Sequence, residues 1–200
     1  MLETRDLGLV PEAMFSELVG PDKEFKTRYD YGQSDSYPIE RILSIAKQAS
    51  EGKATSEPEY LRFIQDEHPV VRHWGAYGLF LLHSDTAAIQ SALQDMATKD
   101  AMTANRIMAA QALGVSGHPD QAFEILLKEA NETPDGYAFL FALNALQYSH
   151  TDDRLTKANW ETFQQKLEDK KTAPDPFGYD YAGRIIEDAL ALWPERRVVD

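Results

Sequence analysis

One pattern occurs twice near the centre of the chain, and it constrains the fold more than any other feature. The copies are Asp66–Leu79 and Asp100–Leu113, with an offset of 34 residues from Arg72 to Arg106. In each copy an Asp stands six residues before the Arg, and a pair of small residues and then a Leu follow it. A repeat of this length is typical of stacked helical units, because no single helix pair can bury its own apolar face.

A third, weaker copy fits over Phe139–Leu146, at a further offset of 33 residues from Arg106 to Phe139. Ala142 and Leu143 stand at the positions of the small pair, and Thr133 stands where the Asp is expected. Phe139 itself takes the position of the Arg. The sequence therefore predicts three related units, of which the third has lost its charged pair.

Apolar residues recur at helical spacing along most of the chain, whereas the alternation typical of strands is nearly absent. Prolines stand where several helices should begin, since proline fits the first helical turn. Ser56–Glu59 has the spacing of a capping box, and Asp85 and Asp100 are candidate N-caps. Two stretches, 20–36 and 170–179, are predicted to be irregular. The predicted helices cover about 12–15, 39–50, 60–64, 69–83, 86–98, 101–115, 120–130, 136–149, 157–169 and 181–193.

The spacing of charge in the repeat has a structural interpretation. Asp66 and Asp100 are placed to cap the second helix of their units, where negative charge is favoured. Arg72 and Arg106 follow on those helices and can each reach an Asp of the adjacent unit. This predicts a ladder of ion pairs along one face of the stack, while the small residues let neighbouring helices approach.

The Asp…Pro-Val-Val-Arg…Ala…Leu string of Asp66–Leu79 resembles a HEAT repeat, and Asp100–Leu113 is similar to a second one. The resemblance covers 56–149 and implies an all-α fold, an α-α superhelix of about nine or ten helices. We expect one helical domain over 1–200. Residues 1–55 would supply N-terminal helices and an irregular aromatic loop, and 150–200 would supply C-terminal helices.

Two short strings, Glu3–Glu12 and Tyr37–Ile42, resemble the segment that follows the catalytic domain in some bacterial sulfatases. That resemblance implies a C-terminal accessory region, cut out or standing alone, and a periplasmic location if the parent protein is exported. The family's catalytic C/S-x-P-x-R motif is missing, because the chain has no Cys and Ser56–Tyr60 ends in Tyr instead of Arg. No catalytic residue is therefore carried over.

Composition excludes several classes of function. The chain has 20 Lys and Arg against 33 Asp and Glu, a net charge of −13, which opposes binding to nucleic acid or to an anionic membrane. The absence of Cys excludes disulfides and thiolate metal sites. The five His residues lack the spacing of metal ligands, so no metal or cofactor is predicted. No targeting signal or membrane-spanning stretch is visible, and the compartment is left open.

We expect a non-catalytic scaffold or docking module that binds a protein, either a sulfatase catalytic domain in the same chain or another partner. The candidate binding surface is the ladder face around Arg72, His73 and Arg106, since solenoids bind through the surface of their inner helices and Arg is a common interface anchor. A free-standing adaptor is the closest alternative.

Two further alternatives use the aromatic loops. A carbohydrate-binding module could stack sugars on Tyr29, Tyr31, Tyr179 and Tyr181. An enzyme of unfamiliar type could use the acidic residues beside these rings. The competing interpretation is structural, in which the rings pin long loops onto the helical stack.

Overall fold

The computed structural model describes residues 12–148, 155–170 and 177–191, and these residues form eleven α-helices. The helices are α1 (Glu12–Leu18), α2 (Arg28–Gly32), α3 (Ile39–Ser50), α4 (Glu57–Phe63), α5 (Pro69–Leu82), α6 (Ala87–Lys99), α7 (Thr103–Val115), α8 (Pro119–Glu132), α9 (Gly136–Tyr148), α10 (Lys157–Lys170) and α11 (Phe177–Ala191). Within the same residues, the only extended pairing is a single bridge between Val19 and Phe25. The prediction of an all-α fold is confirmed.

The helices pack on neighbours in chain order and so build a stack. Helix α5 packs on α3, α4 and α7, and α7 packs on α6 and α8. Helix α9 packs on α8 and α7, and α11 packs on α9 and α10. We call α5, α7 and α9 the second helices, because each is the second helix of a repeat unit. No helix in the described ranges is both long and apolar enough to cross a bilayer.

The repeated small and Leu positions form the core of this stack, including those of the weak third copy. They are fully buried: Ala76, Leu79, Ala109, Ala110, Leu113, Ala142, Leu143 and Leu146. The apolar residues at the repeated positions of all three units therefore face the same interior. A second, smaller cluster at the N-terminal end contains Phe15, Tyr31 and Tyr37, and Trp74 packs against both clusters.

The predicted N-caps of four helices are wrong. Asp66 and Asp100 do not cap α5 and α7, whose N-cap positions are His68 and Met102 and have no side-chain cap. Each Asp instead accepts a hydrogen bond from the amide of that N-cap residue, at 2.9 and 2.8 Å.

Ser56 makes no side-chain cap to α4, because the chain runs into that helix from a 3-10 turn over Ala54–Ser56. Helix α6 is capped by Thr86, whose Oγ1 accepts a hydrogen bond from the Ile89 amide at 3.4 Å, and not by Asp85. Local signals thus place these helices correctly, although none of the predicted side chains caps its helix.

Both stretches predicted to be irregular contain helix, and α2, in the first of them, is the described helix that has no predicted counterpart. Helix α2 lies inside 20–36 and is held by a reciprocal capping box, in which Asp30 N donates to Thr27 Oγ1 at 3.1 Å and Thr27 N donates to Asp30 Oδ2 at 2.9 Å. Helix α11 begins at Phe177, before the predicted start at Tyr181. The string Glu3–Glu12, except for its last residue, and the residues around His150 lie outside the described residues.

Candidate functional site: the ion-pair ladder and the second-helix face

The ladder is built around Asp100, which precedes α7. Its carboxylate accepts two hydrogen bonds from Arg72 of α5, from Nε at 2.6 Å and from Nη2 at 3.1 Å. The Met102 amide donates to the same carboxylate at 2.8 Å, and Asn105 Nδ2 does so at 3.2 Å. With four donors around a side chain that is only 3% exposed, Asp100 is a satisfied buried anion.

A further pair lies on each side, and the first of them is more exposed, with the Arg41 side chain 48% exposed. Arg41 of α3 pairs with Asp66, which in turn accepts from the His68 amide at 2.9 Å. Arg106 of α7 pairs with Glu129 of α8 through two bonds of 2.7 and 2.8 Å. Each of the three pairs thus joins one unit to the next. In the units of Asp66 and Asp100, the carboxylate also accepts a hydrogen bond from the amide two residues later.

The guanidinium groups of Arg72 and Arg106 also bind backbone carbonyls of the residues just before their own helices. Arg72 Nη1 donates to the carbonyls of Asp66 and Glu67, both at 2.9 Å. Arg106 Nη1 donates to the carbonyl of Asp100 at 2.8 Å. The Arg72 and Arg106 side chains are 17% and 22% exposed. Both are engaged inside the molecule, and their role in binding a partner stays a prediction.

The third unit replaces the ladder with a different contact. Thr133 Oγ1 accepts from the Asp135 amide at 3.4 Å, the position of the bond that Asp66 and Asp100 make in their units. Lys166 of α10 lies over the Phe139 ring, 4.7 Å from its centroid, and donates to the carbonyl of Ala130 at 2.6 Å. A cation from the next helix therefore occupies the region from which the repeat has lost its Arg.

His73 lies beside this ladder, between two second helices. Its ring centroid is 6.5 Å from that of Phe141 on α9, although α7 separates the two helices in the chain. Burial lowers the pKa of His73 to about 4, against the opposing effects of the nearby Asn105 side chain and the charge of Asp100. The neutral imidazole is therefore the form that the fold favours.

This buried imidazole predicts a loss of stability in weak acid. Between the unfolded pKa near 6.5 and the folded pKa of about 4, the unfolded chain binds a proton that the folded chain does not. The free energy of unfolding should therefore fall as the pH falls through this window, by on the order of 3 kcal/mol from His73. Urea titrations of wild type and His73→Gln at pH 7 and near pH 4 measure it.

The difference in free energy of unfolding between wild type and His73→Gln separates the contribution of His73 from that of other groups that titrate in acid. Burial also lowers the pKa of His68, so His73→Gln keeps part of the slope. An identical pH dependence in the variant and the wild type would show that the His73 ring is solvated in solution.

Next to His73, α5 carries a row of half-buried aromatic rings. Ring centroids are 5.5 Å apart for Trp74 and Tyr77, and 6.2 Å apart for Tyr77 and Phe80. The repeat offsets place Gln111 and Asn144 at the position of Tyr77, and both are half-buried. We call this surface the second-helix face, and its residues are Trp74, Tyr77, Phe80, Gln111, Phe141 and Asn144.

Comparison with known proteins gives no match. No protein family, no curated protein and no solved structure matches this chain significantly. The resemblances to HEAT repeats and to the segment after sulfatase catalytic domains therefore remain hypotheses from short strings.

The four tyrosines of the glycan alternative do not form one surface. Tyr31 is 2% exposed and packs in the N-terminal cluster, whereas Tyr179 is 6% exposed and donates to the Pro134 carbonyl at 2.6 Å in the main cluster. Tyr29 and Tyr181 are 66% and 54% exposed. Asp30, between the first two rings, is used as a helix cap. This arrangement supports the structural interpretation of the aromatic loops.

The described part of the chain contains no group of three or more His, Asp or Glu side chains placed to hold a metal ion. A cavity of about 380 Å³ lies beside the ladder and is lined by Gln65, Met96 and Lys99 as well as Arg72 and Asp100. The last two side chains already bond each other, so this charged pair stabilises the fold beside the cavity.

Sequence reasoning missed three parts of this region. Arg41 lies 31 residues before Arg72, outside the regular offset. Glu129, the partner of Arg106, stands four residues before Thr133, the position at which the repeat predicts an Asp. Residues four apart lie on the same face of a helix, so a search that also tests the position one turn earlier would find Glu129. The row Trp74, Tyr77 and Phe80 has helical spacing, which does not distinguish core from surface.

Proposed function

We propose that this chain is a non-catalytic, HEAT-like helical-repeat scaffold that binds a partner protein on the second-helix face. The observation that carries the proposal is the row of half-buried rings from Trp74 to Phe80, which is linked through the His73 ring to Phe141 on α9. Aromatic residues with one side against a core and one side accessible are frequent interface anchors. The ladder holds the second helices in register beneath this face.

The resemblance of two strings to the segment after sulfatase catalytic domains supports one class of partner, a sulfatase catalytic domain. Under this proposal that domain docks on the second-helix face, and this chain supplies no catalytic group to it. A free-standing adaptor would use the same surface for an unrelated protein.

The repeat offers substitutions that test the face with residues already present at the matching positions of the next unit. Met108 and Gln111 stand on α7 at the positions of Trp74 and Tyr77, so Trp74→Met and Tyr77→Gln give α5 the residues that the next unit already carries. Peptides selected from a random displayed library on the immobilised wild-type chain are expected to bind each variant at least about tenfold more weakly.

Tyr29→Gln is the matched control, because Tyr29 is 66% exposed on α2 and lies outside the proposed face. This variant should bind the selected peptides like the wild type. Failure to select any binder, or binders that lose affinity only with Tyr29→Gln, would overturn the proposed function. Circular dichroism and thermal melts of each variant check that the fold is kept.

A further inference from the structure

Charge is distributed unevenly between the second helices and the rest of the chain. The three helices α5, α7 and α9 contain no Asp, Glu or Lys, although the chain has 33 acidic residues. Their charged residues are Arg72 and Arg106, and each is paired with a buried carboxylate, Asp100 or Glu129. The second-helix face is therefore an uncharged, partly aromatic strip in a strongly acidic protein.

Helices α5 and α7 run side by side in the same direction, so their ends form two edges of this strip. Asn105 Nδ2 of α7 donates to the Pro69 carbonyl at the start of α5 at 3.1 Å. Arg72, in the first turns of α5, reaches Asp100 just before α7. The residues before each second helix therefore lie along one edge, and those after each second helix lie along the other.

Both edges carry exposed carboxylates. Glu67 and Asp135 precede α5 and α9, and Asp85 follows α5. The segments that join the described helices along these edges, 64–68, 83–86, 100–102, 116–118 and 133–135, contain no Lys or Arg. The edge before the second helices is therefore negative, and the described segments of the other edge carry Asp85 as their one carboxylate and no Lys or Arg.

We propose that the second-helix face binds a partner segment in which apolar side chains are flanked by Lys or Arg. Apolar groups of the segment cover Trp74, Tyr77 and Phe141, and its cations lie against the bordering carboxylates. Complementary charge at the rim raises the association rate and excludes acidic competitors. This inference rests on the proposed function and adds the chemistry of the partner.

The test uses the same displayed random peptide library, selected at low ionic strength on the full chain. The enriched peptides are expected to contain more Lys and Arg, and less Asp and Glu, than the unselected library. Their affinity should fall by about tenfold or more at high ionic strength, because the rim contacts are exposed and screened by salt.

A matched pair of variants places a charge on the face itself. Gln111 is half-buried at the position of Tyr77 in the next unit. Gln111→Lys should weaken binding of the basic peptides by about tenfold, whereas Gln111→Glu should keep or strengthen it.

The possible failures can be separated. Enriched peptides that are neutral or acidic, or equal effects of Gln111→Lys and Gln111→Glu, would overturn the basic partner while leaving binding at the face intact. If the binders ignore Trp74→Met and Tyr77→Gln, the proposed function itself fails. Melting temperatures of both Gln111 variants show whether an effect on binding comes from loss of fold.

Discussion

Asp100→Ala is expected to lower the free energy of unfolding by about 3–5 kcal/mol, a large share of the stability of a domain of this size. The substitution leaves the Arg72 guanidinium, which is only 17% exposed, without its carboxylate. It also removes the acceptor of the Met102 amide at the start of α7 and one acceptor of Asn105. Urea unfolding followed by circular dichroism measures the loss.

Two further variants serve as comparisons: Asp100→Asn separates the charge from the hydrogen bond, and Asp95→Ala is the control for a surface ion pair. Asp100→Asn keeps an oxygen that can accept from the Met102 amide but removes the charge, so we expect an intermediate loss. Asp95→Ala removes an exposed carboxylate whose partner is Lys99 on the same helix, and a change below about 0.5 kcal/mol is expected. Similar losses in Asp95→Ala and Asp100→Ala would mean that the ladder contributes no more than a surface ion pair.

The ladder also shows which long-range contacts a sequence can reveal. Arg72 and Asp100 are predictable as a pair because both stand at fixed positions in two copies of one pattern. The partner of Arg106 is different, since the third copy has Thr133 at the Asp position and the carboxylate comes from Glu129. A repeat predicts a contact only when both partners stand at the repeated positions. In the third unit the carboxylate stands one helical turn earlier, at Glu129 instead of position 133.

The helices themselves follow from local signals, and their misassigned parts have local causes. Periodic apolar residues define the long helices, but α2 is only five residues long, too short to show a period. Its signal is the Thr27–Asp30 capping box. The start of α11 was assigned to a loop because Pro174, Pro176 and Gly178 are breakers, although a proline before the first turn is compatible with a helix.

The environment of His73 could not be derived from its neighbours in the sequence. Its ring meets Phe141 across α7, and its lowered pKa results from burial by elements that are distant in the chain. The same holds for the row from Trp74 to Phe80, whose helical spacing suits a core as well as an accessible face. Only the packing of three units assigns these rings to a partly accessible surface.

Gly75→Ala is expected to destabilise the chain by about 1–3 kcal/mol, although alanine favours helix over glycine by about 1 kcal/mol. A Cβ at position 75 would lie 2.8 Å from the Ile64 backbone nitrogen and 2.8 Å from Phe63 Cβ. Neither atom is the end of a flexible side chain, so α4 and α5 would have to move apart. Thermal and urea unfolding of the variant measure the loss.

Gly183→Ala separates packing from helix propensity in the same chain. Gly183 is also inside a long helix, α11, but a Cβ there would meet Leu167 Cδ1 at an ordinary contact distance of 3.6 Å. This variant should be unchanged or more stable by up to about 1 kcal/mol. Stabilisation of both variants would contradict the close approach of α4 and α5. The opposite signs expected here arise because the small residues of the repeat are required by neighbouring helices and not by the helix that contains them.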